Sequence, residues 1–430
     1  MKRLLIYLTI LLLSLVSLAQ RDSDVVAEGQ EESASMVAEA LEGDGMVAKA
    51  DSSAYITASL VIVEPDKESL ITYFGHAALR LQCPSAGLDY CFSFDSMTSG
   101  SFWALVTGAD RTTLLPIVTS EFIERYTSQH RKVYEHELNL TLEEERRLWQ
   151  MVDKLVDMHD YLQTDFLHHG CAGETASIIA SALDGHLQYP SMVSGIDRTH
   201  YEIINKYMTP ESWTKLMLSI FASHDTHTEL ADNEEKLIVP SLLETVWKET
   251  RIVGTDGSER SVFAPKDMVV YDASSGMECD SSPWTPSLYC TALLALVLLL
   301  CIAELFVGRI RVLSMGIDAL LLAVQTAIGL VIVALLLCST LSSTSGWNSN
   351  LVVFNPIPLL VWLYLWRRRS SAAVHCRVFA IYTVVLAGFL VYMYAESRFF
   401  LFPQYLLVAT FGVRCAGIAY SNYRNSKRLQ

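Results

Sequence analysis

Charge is what this 430-residue sequence has least of. Only 18% of its residues are Asp, Glu, Lys or Arg, whereas 51% are apolar and the mean hydropathy is +0.29. An ordinary soluble chain carries about 25% charged residues, so a wholly soluble protein is excluded. The charges are also segregated, which excludes a uniformly embedded one. From Pro286 to Gln430 there are only 3 acidic residues against 11 basic, net +8. Residues 20–285 hold 44 acidic against 19 basic, net −25. That shortage of Lys and Arg argues against nucleic acid as a partner, because phosphate backbones are bound by basic stripes. No CxxC pair and no internal repeat is present, so a zinc ribbon and a solenoid are both excluded. Residues 20–53 have no aromatic residue and are rich in Glu, Asp, Ser, Ala and Gly, the composition of a disordered acidic lead-in.

What is present begins with a targeting segment. Lys2 and Arg3 precede the apolar run Leu4–Val16, and Ser17-Leu18-Ala19 has the small-x-small form of a cleavage site. Residues 1–19 read as a secretory signal peptide, the alternative being an uncleaved membrane helix. No Cys follows the site. The tail holds five apolar runs close to the ~20 residues of a bilayer crossing: Leu288–Val307, Ala319–Leu341, Leu351–Trp366, Val378–Tyr394 and Leu401–Tyr420. Pro356 and Pro358 make the third short and kinked or half re-entrant. Arg309 and Arg311, then Arg367, Arg368, Arg369 and Arg377, then Arg424, Lys427 and Arg428 fall in alternate connections. The positive-inside rule makes these cytoplasmic. An odd number of spans with the C-terminus inside then puts residues 20–285 outside, as the signal peptide also requires.

The exported part, 54–285, reads as an α+β domain with an antiparallel sheet and packed helices. Strands are expected at Tyr55–Val63, Gly75–Leu81, Tyr90–Phe94 and Arg131–Leu140, with a turn at Pro84–Gly87. Thr141 and Glu144 have capping-box spacing, and Leu148, Val152, Leu155 and Val156 continue a helix to Met158. Further helices are expected from Cys171, at Trp213–Phe221 and at Pro240–Lys248. Cys83 and Cys91 flank the turn and are either a disulfide or two thiols. His224-Asp225-Thr226-His227 is a polar loop or, less simply, a metal site; we expect no metal.

Cys171 follows a glycine and opens an apolar helix. The free amides of a helix N-terminus lower a thiol pKa, and a thiolate nucleophile needs an imidazole to shuttle protons. Taken alone, Cys171 is equally a small buried apolar residue, and His76 a structural histidine.

Phe74-Gly75-His76-Ala77-Ala78-Leu79-Arg80 resembles the Gly-His-Ala-Ala-Leu-Arg strand of a permuted papain-like fold. In that fold the catalytic His precedes the Cys, and the Cys starts a helix. The wider pattern is similar to the Lnb-type lipoprotein N-acyltransferases. The similarity extends over Tyr126–Leu140, the helix after Cys171, Leu237–Leu243 and a five-helix membrane domain at 286–430, including Trp347–Leu351 and Asn355–Leu359. The sequence departs from that family at His169-Gly170, where Asp-Asn is usual, and at Ser93, where an Asn is expected.

The resemblance implies acyl transfer from a phospholipid donor, through a thioester, to the N-terminal amine of a diacylated lipoprotein. Cys171 would be the nucleophile and His76 the proton carrier, with Ser93 or Asp95 orienting the ring. Trp347, Asn348, Asn350 and Asn355, on the exported side, are the candidates for substrate contact. Glu304, Asp318, Gln325 and Arg414 lie within or near spans; Glu304 and Arg414 read as a structural pair. No cofactor is implied. The expected place is the bacterial inner membrane, multi-pass, with a periplasmic N-terminal domain and a cytoplasmic C-terminus. Two other readings use the same residues: a membrane-tethered cysteine peptidase or amidase acting on cell-wall peptide, and a non-catalytic relative.

Overall fold

The computed structural model describes residues 56–66, 72–96, 104, 107–158, 161–190, 199–272, 284–306, 310–368 and 371–428. The expected signal peptide and acidic lead-in, with Arg309, Arg369 and Cys279, lie outside these. The chain forms two compact units: Met1–Ile203 with Glu229–Glu278, and Ile204–Thr228 with Cys279–Gln430.

The first unit is built on a seven-stranded antiparallel sheet. Its strands are β1 (Thr57–Val63), β2 (His76–Cys83), β3 (Leu88–Ser96), β4 (Arg111–Val118), β5 (Val133–Glu137), β6 (Leu162–Gln163) and β10 (Val269–Tyr271), in the order β10-β5-β1-β2-β3-β4-β6. A small second sheet holds β7 (Gly185–Gln188), β8 (Arg251–Gly254) and β9 (Glu259–Ser261). The interior strand β1 is almost wholly buried, which is why it lacks clean polar alternation. The expected strands are present; β6 to β10 are additions, and so is β4. Pro116 disguises it: a proline cannot donate to a ladder and sits only where no neighbour needs its amide. Here β6 pairs only with Arg111 and Thr112, so Pro116 faces an open edge.

Helices cover the sheet. α1 (Thr119–Ser128) drives Phe122 and Tyr126 into a core with Val61, Val63, Ala78, Cys91, Ile117 and Val133. Full burial of a side chain such as Phe122 is worth about 1.5–3 kcal/mol. α2 (Leu142–Met158) starts with the expected capping box: Thr141 N–H donates to Glu144 Oε2 at 2.8 Å, and Glu144 N–H to Thr141 Oγ1 at 3.3 Å. α3 (Cys171–Ala182) packs on β2, β3 and α2, and α6 (Pro240–Trp247) on α3 and β1. Between them in sequence come α4 (His200–Tyr207) and α5 (Trp213–Phe221).

The second unit contains α5 and the membrane-length helices α7 (Pro286–Phe306), α8 (Arg311–Cys338), α10 (Ala372–Ala395) and α11 (Phe402–Arg428). Among the described residues, four helices are long and apolar enough to cross a bilayer. The fifth element is the bent pair Ser342–Val352 and Ile357–Arg367, turned by 44° at the two prolines; its second arm is α9 (Ile357–Arg367). A break at membrane depth exposes backbone carbonyls that water cannot reach. Gln325 Nε2 and Tyr382 Oη both donate to the Val353 carbonyl, the latter at 3.0 Å. Gly329 lets α8 approach the break, where a Cβ would lie 2.3 Å from the Phe354 oxygen. Arg414 donates to Glu304 (2.7 Å), to Asp318 (3.0 Å) and to Ser314 (2.6 Å), tying α7, α8 and α11 together. This is the expected pairing of Glu304 and Arg414, with Asp318 added.

Gly75 and Gly87 both adopt positive φ, +89° and +69°. A Cβ at Gly75 would lie 2.5 Å from the Val63 oxygen, whereas at Gly87 it would meet nothing within 4 Å. Backbone strain of this kind costs roughly 1–3 kcal/mol. Gly75→Ala should therefore unfold at a clearly lower temperature than Gly87→Ala, which bears the strain without the clash. Equal losses in a thermal scan would contradict this placement of the His76 strand.

Candidate active site

β3 runs antiparallel to β2 in a register that pairs Ala78 with Ser93. Continued by two residues, that register sets His76 opposite Asp95. Side chains alternate between faces along a strand, so His76, Ser93 and Asp95 share one face. His76 Nε2 lies 2.6 Å from Ser93 Oγ, and the Ser93 hydroxyl donates to Asp95 Oδ1 at 3.0 Å. The hydroxyl hydrogen is thus committed to the carboxylate, and Oγ is left as an acceptor. Nε2 must then carry the ring proton in the neutral imidazole, which leaves Nδ1 as the free base. The direct Nε2–Asp95 separation is 3.7 Å, so Asp95 reaches the ring through the hydroxyl. Arg125 Nη1 approaches the other Asp95 oxygen at 3.6 Å.

Two segments distant in sequence converge on this ring. Phe74, two residues before His76, stacks on Phe166 with centroids 4.7 Å apart. Phe166 opens the tight turn that leads into α3. In that turn the amides of His168 and His169 donate to the Asp165 carbonyl at 3.2 and 2.7 Å, and Leu167 N–H donates to Asp165 Oδ1 at 3.0 Å. A Cβ at Gly170 would stand 2.8 Å from the Phe166 oxygen. The turn accordingly takes glycine where the resembled family has a larger residue. Cys171 is the first helical residue, and Gly170 caps α3 without a side-chain bond.

The Cys171 thiol and the His76 imidazole come together here, each acting on the other's charge state. Burial pushes the Cys171 pKa up, but His76, with the Ala77 and Ala172 amides donating to the sulfur, brings it below the ordinary thiol value. Burial likewise opposes charge on His76. The thiolate beside it and Asp95 outweigh that and hold the ring above its ordinary value. The pair therefore favours thiolate and imidazolium. Tyr126 and Phe122 wall the ring at 5.9 and 6.3 Å, and the Arg131 guanidinium lies over Tyr126 at 4.8 Å. Nothing in the local sequence marks these three residues; the Tyr126–Leu140 similarity was the only signal.

Ser93 and Asp95, the two alternatives for orienting the ring, both stand beside it and are joined to each other by a hydrogen bond. Cys83 and Cys91 are free thiols, which corrects the disulfide alternative. The register pairs Cys83 with Leu88 and Cys91 with Arg80, so the two cysteines do not face each other. Cys91 Sγ instead lies 3.7 Å from Thr119 Oγ1.

The four candidates in the membrane unit are arranged differently. Trp347 is 60% exposed. Asn348 and Asn350 are buried, and their amides donate to the Ile220 carbonyl at the end of α5, at 2.8 and 3.1 Å. A direct contact between these two amide groups and a substrate would require those bonds to open. Asn355 Nδ2 donates to the Val352 carbonyl at 3.0 Å, and its Oδ1 accepts from Ile357 N–H at 3.1 Å, so it bridges the break before α9. His224–His227 forms a short 3₁₀ turn with His227 stacked on Phe399 at 4.0 Å. Among the described residues, no group of three His, Cys, Asp or Glu is placed to hold a metal.

An antiparallel sheet domain bearing a paired thiol and imidazole, in a chain that continues into membrane-length helices, defines a membrane protein with a cysteine-centred site. Residues 52–206 match the family model of the Lnb N-terminal periplasmic domain, and residues 278–426 match that of the Lnb transmembrane domain. The chain belongs to the Lnb-type family, whose domains mark a membrane protein related to lipoprotein maturation. No curated protein and no solved structure matches it.

The relay makes Cys171 reactivity depend on pH in a defined way. Thiolate content rises through the lowered Cys171 pKa, so alkylation by iodoacetamide should already be fast below the pH at which an ordinary thiol ionises, about 8.5. His76→Ala removes the stabilising cation and should shift the profile to higher pH. Ser93→Ala should shift it less, because the carboxylate stays near. Superimposable profiles for wild type and His76→Ala would refute the pair.

Proposed function

We propose that the protein transfers an acyl chain from a phospholipid to the α-amine of a diacylated lipoprotein, with Cys171 as nucleophile. The observation that carries this reading is the four-member relay, thiol to imidazole to hydroxyl to carboxylate, on the periplasmic domain of an Lnb-type chain. In it the arrangement works as a permuted papain-like site, with His76 ahead of Cys171 in the chain.

The steps follow from the protonation states. The Cys171 thiolate attacks the acyl ester carbonyl. The Ala172 amide at the start of α3 and the Ala77 amide, which favour the thiolate, are our candidates for donors to the oxyanion. The ester C–O bond breaks, the lysophospholipid oxygen takes the proton from His76, and a thioester remains. The lipoprotein amine then attacks the thioester and gives up a proton to His76. The thiolate leaves, and the product is an amide. Ser93 and Asp95 keep the ring oriented through both steps and stabilise its charged form. Two half-reactions on one nucleophile make the kinetics ping-pong. Both substrates keep their acyl chains in the bilayer, which accounts for a membrane domain larger than a tether. Exposed Trp347 is the candidate for lipid contact; Asn348, Asn350 and Asn355 support it by holding the segment around it.

We further propose the inner membrane as its place, with the C-terminus in the cytoplasm. A reporter active only in the cytoplasm should be active when fused after Gln430. A silent but stably expressed fusion would overturn that orientation.

Purified protein given phospholipid and no amine should accumulate a hydroxylamine-labile acyl group on Cys171 and release lysophospholipid. A diacylated lipopeptide should discharge the chain onto its amine, and an N-acetylated lipopeptide should not. Cys171→Ser should lose most of this activity, since an alcohol near its normal pKa is a far weaker nucleophile. Discharge to water alone would identify a hydrolase. Equal lipopeptide acylation by Cys171→Ala would refute the mechanism.

A further inference from the structure

A cleft of about 1130 Å³ lies in the membrane unit, at the end where α7 meets α8 and α9 meets α10. Ordinary small-ligand pockets run to about 300–1,000 Å³, so it has room for something larger. Its walls are of two kinds. Leu298, Ile302 and Trp362 give it an apolar side, while Arg367, His375 and Arg424 stand at its basic side.

The charges of the lining are not mutually cancelled. Glu304 and Asp318 also line the cavity, but both accept from Arg414, which holds them to the wall together with Ser314. Arg424 makes one described bond, from Nη1 to the neutral Leu305 carbonyl at 2.9 Å. Neither Arg367 nor Arg424 forms an ion pair with a carboxylate among the described residues. Two guanidinium groups and an imidazole thus meet an apolar cleft between membrane-length helices, at the ends of those helices. Planar guanidinium groups match phosphate oxygens in geometry and in charge, and basic pockets between membrane helices suit lipid head groups.

We infer that this cavity is a glycerophospholipid site, with the phosphate held by Arg367 and Arg424 and an acyl chain lying along Leu298, Ile302 and Trp362. An anionic head group binds best, because an added ammonium would face the same arginines. The inference is independent of the Cys171 chemistry: it concerns a lipid retained by the bundle, and it holds whether or not that lipid is ever an acyl donor.

Native mass spectrometry of the full chain, in the Cys171→Ala background so that no acyl group is transferred, tests it. The probes are dioctanoyl phosphatidylglycerol, dioctanoylglycerol and inorganic phosphate, titrated separately. Phosphatidylglycerol should be retained saturably, and the other two should not. The double variant R367Q/R424Q should weaken retention by roughly thirtyfold. Leu298→Trp keeps every charge but fills the cleft, and should weaken it as well, which decides the matter if the double variant fails to fold. Unchanged retention in a folded double variant, or in Leu298→Trp, would overturn the site. Equal retention of dioctanoylglycerol would overturn the role of the phosphate. Binding of inorganic phosphate as strong as that of the lipid would show an anion site and not a lipid site.

Discussion

An imidazolium can face a thiolate inside a protein only if the ring cannot turn and the sulfur has donors besides the ring. Much of the first unit serves these two conditions. The ring is fixed because β2 and β3 pair in a register that aligns Ser93 and Asp95 with His76. The sulfur is supplied with donors because α3 begins at Cys171 and because the Ala77 amide, next to the histidine, is directed at the same atom. A slip of one residue between β2 and β3 would send Ser93 and Asp95 to the opposite face. The hydrogen-bond chain that sets the tautomer would then be lost, with every covalent bond intact.

The departures from the resembled family make sense in these terms. An asparagine orients a histidine with one side chain. Here the shorter Ser93 reaches the ring, and Asp95, one pleat further along, accepts the serine's hydrogen and completes the link. Gly170 removes a side chain where the Phe166 carbonyl comes too close for one. The stack of Phe74 on Phe166 then joins the histidine loop to the cysteine turn.

The membrane unit obeys the same rule under a harsher solvent. A proline-broken span is tolerated only if its exposed carbonyl finds donors, and Gln325 and Tyr382 supply them to Val353. Ionised groups packed between membrane-length helices require partners too, and Arg414 meets Glu304 and Asp318 together. α5 belongs to this unit because Asn348 and Asn350 cap its C-terminal carbonyls, a use of polar side chains that spares helix ends from bare burial.

Local sequence determined the features that depend on near neighbours or on composition. These include the long spans, the capping box at Thr141 and Glu144, the start of α3 at Cys171 and the division into an acidic and an apolar part. Each follows from periodicity, capping chemistry or transfer free energy, all of which act over a few residues or over averages. β4 escaped because Pro116 is a strand residue only when its strand lies at an edge, and edges exist only in a finished sheet. Tyr126, Arg125 and Arg131 escaped because nothing beside them in the chain signals the histidine they surround. Tertiary structure alone decided that Ser93 and Asp95 stand in series beside His76, that Cys83 and Cys91 stay apart and that Asn348 and Asn350 hold a helix end. Each of these is a distance between groups set by strand register or helix packing, a quantity that no stretch of sequence carries until the chain has folded.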